Sequence, residues 1–263
     1  MPKRAGPAPR SGEAIGNRAV IRVGAVAYLN SWPLTDDLRD DPAVDLVEDV
    51  PAALADRLAA GDLEVALVPI VEWFRHPEWG RVPGIGIGSD GPVETVLVVS
   101  RVPFATIGTL GLDVASRTSV VLSRVVLRER FGIEPRVEPV DPSAGEPATD
   151  AWVVIGDPAF AVAPGPGVLD LGAAWREATG LPMTFAIWAT REGLDPSVVT
   201  ERLTRACDTG LARLDELART AHEKLGLAAS RCRDYLGKTI RYRIGEREEA
   251  GIEVFRARAA GWL

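Results

Sequence analysis

Apolar runs of strand length alternate with helix-patterned stretches along almost the whole chain, and that alternation leaves few architectures open. Residues 20–27, 44–48, 65–68, 82–87, 95–100, 110–114, 136–140, 151–155 and 185–190 read as strands. The intervals carry helical spacing. In residues 51–60, for example, Ala52, Ala53, Leu54, Leu58 and Ala59 form an apolar stripe and Gly61 is placed to stop the turn. Strands interleaved with helices predict an α/β fold on a mostly parallel sheet. After Asp195-Pro196, a long helical pattern carries Val199, Leu203, Ala206, Cys207, Gly210, Leu211, Leu214 and Leu217, with Gly226 set to end or break it. Residues 248–260, with Ile252, Phe255 and Ala259 on one side, predict a last helix.

Two segments read as crossings between lobes: 98–103, a strand running into Arg101-Val102-Pro103, and 187–193, a strand running into Arg191-Glu192-Gly193. A chain that leaves at the first and returns at the second builds lobe 1 from residues 18–101 plus 190–263, and an inserted lobe 2 from residues 102–189. A ligand cleft between them is the expected consequence. Residues 1–17 contain Pro2, Pro7 and Pro9 among Lys3, Arg4 and Arg10 and lack the apolar centre of a secretory signal, so they read as a disordered leader.

Composition narrows the partners. With 46% hydrophobic and 25% charged residues the chain has the content of an ordinary globular protein, and its net charge of −7, with basic residues scattered among acids, argues against nucleic acid. Cys207, Cys232, His76 and His222 cannot supply a spaced zinc set, and no run approaches the roughly 18 apolar residues of a membrane span. The expectation is a cytoplasmic protein, monomer or homodimer, with a small-molecule ligand and with no metal, cofactor or membrane.

The chemistry-bearing residues gather at strand-to-helix joints. Tyr28-Leu29-Asn30-Ser31-Trp32-Pro33-Leu34 follows the first strand directly, which brings an amide and a hydroxyl to the sheet edge where α/β folds bind ligands. Ser116-Arg117-Thr118-Ser119 opens a helix, and the unpaired amides there favour a carboxylate or phosphate; Ser116 or Thr118 as a plain helix cap is the competing reading. Val68-Pro69-Ile70-Val71-Glu72-Trp73 takes a strand into a helix through a proline, Thr95 opens a strand after Asp90-Gly91-Pro92, and Gly156-Asp157-Pro158 follows another. Glu72 reads as a helix carboxylate and Asp157 as an N-cap. No phosphate loop, dinucleotide fingerprint or nucleophile elbow occurs.

In order along the chain, Tyr28-Leu29-Asn30-Ser31-Trp32-Pro33-Leu34, Val68-Pro69-Ile70-Val71-Glu72-Trp73, Asp90-Gly91-Pro92-Val93, Ser116-Arg117-Thr118-Ser119-Val120, Ile155-Gly156-Asp157-Pro158-Ala159, and Asp170-Leu171-Gly172 through Phe185-Ala186-Ile187-Trp188 resemble the chorismate dehydratase family of menaquinone biosynthesis. The resemblance runs from about Ile21 to Phe255. It implies a two-lobed type II periplasmic-binding-protein-like fold with a central ligand cleft. It also implies the hydro-lyase step of the futalosine route, in which chorismate becomes 3-(1-carboxyvinyloxy)benzoate and water without a cofactor. The family's catalytic role falls on Asn30 and on Thr95, where relatives commonly have Ser. Substrate contacts are then expected from Tyr28, Ser31, Val68, Pro69, Ile70, Ser116, Arg117, Thr118, Ser119, Gly156 and Asp157. With no side-chain base evident, the substrate's own enolpyruvyl carboxylate is the expected proton acceptor. Glu94 departs from the family pattern. A transporter's solute-binding protein would share the fold but carry an export signal. The dihydroxynaphthoate-forming relative would need a histidine base in the inserted lobe, which residues 102–189 lack. A non-catalytic binding protein or sensor for a small carboxylate is the alternative.

Overall fold

The computed structural model describes residues 20–112, 116–141 and 145–263. The expected leader at 1–17, the expected strand end at 113–114, Ala115, and positions 142–144 of an expected loop lie outside the described residues. In chain order the elements are β1 (Ile21–Val26), α1 (Trp32–Arg39), β2 (Val44–Asp49), α2 (Pro51–Ala59), β3 (Val65–Pro69), α3 (Ile70–Arg75), β4 (Gly80–Ser89) and β5 (Val96–Ser100). There follow β6 (Thr109–Leu112), α4 (Arg117–Phe131), β7 (Arg136–Pro139), β8 (Ala151–Ile155), β9 (Val168–Asp170), α5 (Leu171–Thr179) and β10 (Met183–Thr190). The chain closes with α6 (Ser197–Ala212), α7 (Leu214–Leu225), α8 (Ala229–Asp234), β11 (Arg241–Arg243) and α9 (Glu246–Ala259).

Among the described residues these strands make two sheets, one in the order β11-β4-β10-β3-β1-β2 and the other β7-β6-β8-β5-β9. Both are mixed, which corrects the expectation of a mostly parallel sheet. β1 runs parallel to β2 and β3, whereas β10 runs antiparallel to β3 and β4; β6 runs parallel to β7 and β8, whereas β5 runs antiparallel to β8 and β9. The reason is topological. β10 comes back from the other sheet and slots between β3 and β4, and an apolar run carries no record of its direction.

The same strands move the crossings. β5 already belongs to the second sheet, pairing Val98 with Val153 and with Leu169, so the outward crossing is at residues 90–95 and not at 98–103. β10 lies wholly in the first sheet, pairing Ile187 with Val68, so the return comes after α5 and before Met183 and not at 187–193. The inserted part therefore begins near 96 and ends near 179, in place of the expected 102–189. The expected helix after Asp195-Pro196 is also two helices, α6 and α7, broken at Arg213, with Gly226 (φ 69°) ending the second.

Packing follows from pattern. Every residue of β3 is buried, as a strand covered on both faces requires, and Leu54, Ala55 and Leu58 press one stripe of α2 onto the first sheet. Fully buried Leu67, Trp188, Trp175 and Phe255 anchor the core, each contributing about 1.5–3 kcal/mol of transfer free energy. Among the described residues no helix is long and apolar enough to cross a membrane.

Candidate functional site

The carboxyl ends of β1 and β3, the connector before β5, the start of α4 and the end of β8 converge on one pocket of about 530 Å³ including the open space at its mouth. Tyr28, Asn30, Pro69, Thr95, Ser116, Arg117, Thr118, Ser119 and Gly156 line it together with apolar Val26, Leu67, Ile87 and Phe185. Asn30 and Thr118, from opposite sides, face the same space.

Four expected contacts are placed elsewhere. Ser31 is fully buried, its hydroxyl 2.5 Å from the Val26 carbonyl and 2.8 Å from that of Tyr28; it pins the short turn Leu29–Ser31 that presents Asn30. Val68 is buried inside β3, and Ile70, first in α3, is buried in the core. The Asp157 carboxylate, pushed above the usual range by burial, accepts the Leu29 N–H at 3.0 Å from across the cleft. It therefore holds the Asn30 turn from outside the pocket, a different structural task from the N-cap expected of it. Just before it, Gly156 sits at φ 64°, where a Cβ would come within 2.8 Å of the Tyr28 ring.

Arg117 lines the pocket, but its guanidinium is engaged. It donates to Glu72 at 2.7 Å and to Asp56 at 2.8 Å, and Glu72, 2% exposed, also takes Arg75 at 2.6 Å. A carboxylate clasped by two guanidiniums is an ion-pair anchor between α3 and α4, which removes Glu72 as a base. Ser116 precedes α4 without making a side-chain cap, and the Thr118 hydroxyl donates to the Phe185 carbonyl at 3.1 Å. Neither therefore performs the plain capping that competed with ligand binding. The first-turn amides of α4 have no acceptor within the helix and carry the positive end of its dipole to the pocket rim.

Sequence reasoning missed Tyr235. This residue, 1% exposed, opens a wide π-helical turn, Tyr235–Thr239, after α8, and its hydroxyl lies 2.7 Å from the Thr95 Oγ1. Phe160 meets its ring edge-on at 4.9 Å. The only hint in the sequence is scarcity, since the chain has 3 tyrosines. Glu94 also finds its place. At φ 63° it turns the outward connector, its N–H donates to Asp170 at 2.7 Å, and its carboxylate accepts from Thr239 at 2.8 Å. Among the described residues no three His, Cys, Asp or Glu side chains cluster to hold a metal ion.

Two mixed sheets that both line one cleft define the class: a periplasmic-binding-protein-like fold. Solved structures agree. A Candida albicans protein described as having the generic periplasmic binding protein fold superposes with TM-score 0.63 at 12% identity, covering 90% of each chain. The periplasmic aliphatic sulphonate binding protein of Escherichia coli does so with TM-score 0.62 at 15% identity, covering 93% of this chain and 91% of that one. A protein of Archaeoglobus fulgidus reaches TM-score 0.72 at 18% identity, covering 94% and 98%. Within that class, the chain belongs to the menaquinone biosynthesis family, whose model it matches over residues 21–261. It is 29% identical over 254 residues to the chorismate dehydratase of Thermus thermophilus, covering 89% of this chain and 93% of that protein.

Proposed function

We propose that this protein is a chorismate dehydratase, a hydro-lyase that converts chorismate to 3-(1-carboxyvinyloxy)benzoate and water. The observation that carries this reading is one pocket in which Asn30 and Thr95 face the start of α4 across an apolar floor. A cyclic dicarboxylate fits such a division of labour. The helix start with Ser116 and Ser119 receives one carboxylate, an anion there gaining up to about 2 kcal/mol, and Val26, Leu67, Ile87 and Phe185 pack the ring. In the reaction the hydrogen leaves the ether-bearing ring carbon, its bonding electrons form the new ring double bond, and the neighbouring carbon releases hydroxide. The proton, taken by the substrate's enolpyruvyl carboxylate, completes the departing water. Aromatisation drives the step, so the protein's contribution is orientation by Asn30 and Thr95.

Purified protein incubated with chorismate and resolved by chromatography tests the reading: chorismate loss matched by the enolpyruvyl benzoate is the expected result. Saturable binding without product would instead make it a carboxylate sensor. The cytoplasm is the proposed compartment and a monomer or homodimer the proposed state, checked by cell fractionation and light scattering.

A further inference from the structure

Behind the pocket, the phenol of Tyr235 and the hydroxyl of Thr95 form a short hydrogen-bond relay between two buried neutral side chains. Burial raises the Tyr235 phenol well above its ordinary range; hydrogen bonding from Thr95 and from Asn30 opposes that rise. Asn30 Oδ1 is buried and has no hydrogen-bond partner among the described residues. The Tyr235 phenol and the Thr95 Oγ1 lie 2.7 Å apart, a short hydrogen bond between two buried hydroxyls. The Thr95 hydroxyl also has the Val93 carbonyl as an acceptor, but at 3.4 Å, so the phenol is its near partner.

We infer that Tyr235 is a positioning residue: its buried phenol fixes the Thr95 hydroxyl in the orientation that meets the ring hydroxyl of the bound substrate. This inference rests on the dehydratase reading above. A departing hydroxyl needs a hydrogen-bonding partner held still as the carbon–oxygen bond lengthens, and a threonine hydroxyl tied at 2.7 Å to a buried phenol is such a partner. Tyr235 suits the task because it is not in the pocket lining, stays protonated, and is held by Phe160, over which the Arg231 guanidinium lies at 5.1 Å. The wide turn at Tyr235–Thr239 fits this reading, since such turns concentrate at functional sites.

The test is steady-state kinetics on chorismate with Tyr235→Phe, which removes one atom and keeps the ring. The expected result is a kcat lower by about ten- to hundredfold with KM within about threefold. In a Thr95→Val background the same change should cost less than about twofold, and in Thr95→Ser it should again cost tenfold or more, because the effect passes through that hydroxyl. A Tyr235→Phe enzyme with unchanged kcat would overturn the inference, as would equal losses in all three backgrounds. So would a variant that loses its fold, since the claim concerns the hydroxyl's service to the reaction. If the parent protein binds chorismate without converting it, the dehydratase reading fails; if the parent converts it and the hydroxyl proves dispensable, only the relay fails.

Discussion

On the side of the pocket formed by the β1 turn, the polar groups of Asn30, Thr95 and Tyr235 are neutral, and Thr95 and Tyr235 are joined by a hydrogen bond. On the opposite side, the start of α4 carries a full positive charge on Arg117, but that charge is shared out between Glu72 and Asp56. The difference separates two tasks. Neutral donors and acceptors can be aimed at a leaving group without holding it too tightly, whereas an anion needs a positive field that stays fixed. Here the field comes from the backbone of α4, and the guanidinium spends itself holding that helix in place.

The sharpest way to break this comparison is at the neutral side. Asn30→Ala should lower kcat by about 100- to 1000-fold with chorismate affinity changed far less, as loss of a preorganised polar contact does; single-turnover assays and calorimetric titration check it. At the other side, Glu72→Gln leaves two guanidiniums without their shared counter-charge. A melt should show about 2–3 kcal/mol lost, below the ~3–5 kcal/mol of a fully buried pair because Arg75 stays partly in solvent. Gly156→Ala, which forces a methyl toward the Tyr28 ring at a left-handed φ, should cost about 1–3 kcal/mol in a chemical melt and weaken chorismate binding.

Smaller effects sharpen the distinction. If α4 holds the carboxylate through its backbone, Arg117→Gln should raise KM by less than about tenfold; a direct ion pair with the substrate, worth about 1.5–3 kcal/mol, would give a larger rise. The smallest change is expected from Asp157→Asn. Burial raises the folded-state pKa of Asp157 above its ordinary value of 3.8, so the folded protein holds that proton more tightly than the unfolded chain. Its contribution is therefore most favourable at acidic pH and is lost as pH rises from 3.8 through the raised folded value. An amide that still accepts the Leu29 N–H but never ionises should flatten the stability profile over that window, which melts at a series of pH values would reveal.

Much of this site was legible because its residues follow strands. Tyr28, Asn30 and the 116–119 cluster each sit where an apolar run gives way to helix spacing, and that junction is visible in one dimension. Ser31 and Arg117 stand at the same joints, yet their side chains turn to the Val26 carbonyl and to Glu72, and partner choice is set by three-dimensional packing that spacing does not encode. Tyr235 lies in a helical stretch far along the chain from Thr95, its hydrogen-bond partner. The outward crossing was hidden for a related reason: Asp90-Gly91-Pro92 reads as an ordinary turn, and nothing local says that the next strand joins another sheet.

Asp170 has a consequence at the neck between the sheets. Its carboxylate accepts the N–H groups of Val93 and Glu94, on the way out, and that of Ala173, at the head of the helix that leads back. The excursion thus begins and ends within reach of one side chain. Such neighbouring ends are the geometry that lets a segment be spliced into a host chain or lifted from it with little backbone distortion, so the second sheet has the form of a cassette with Asp170 at its neck.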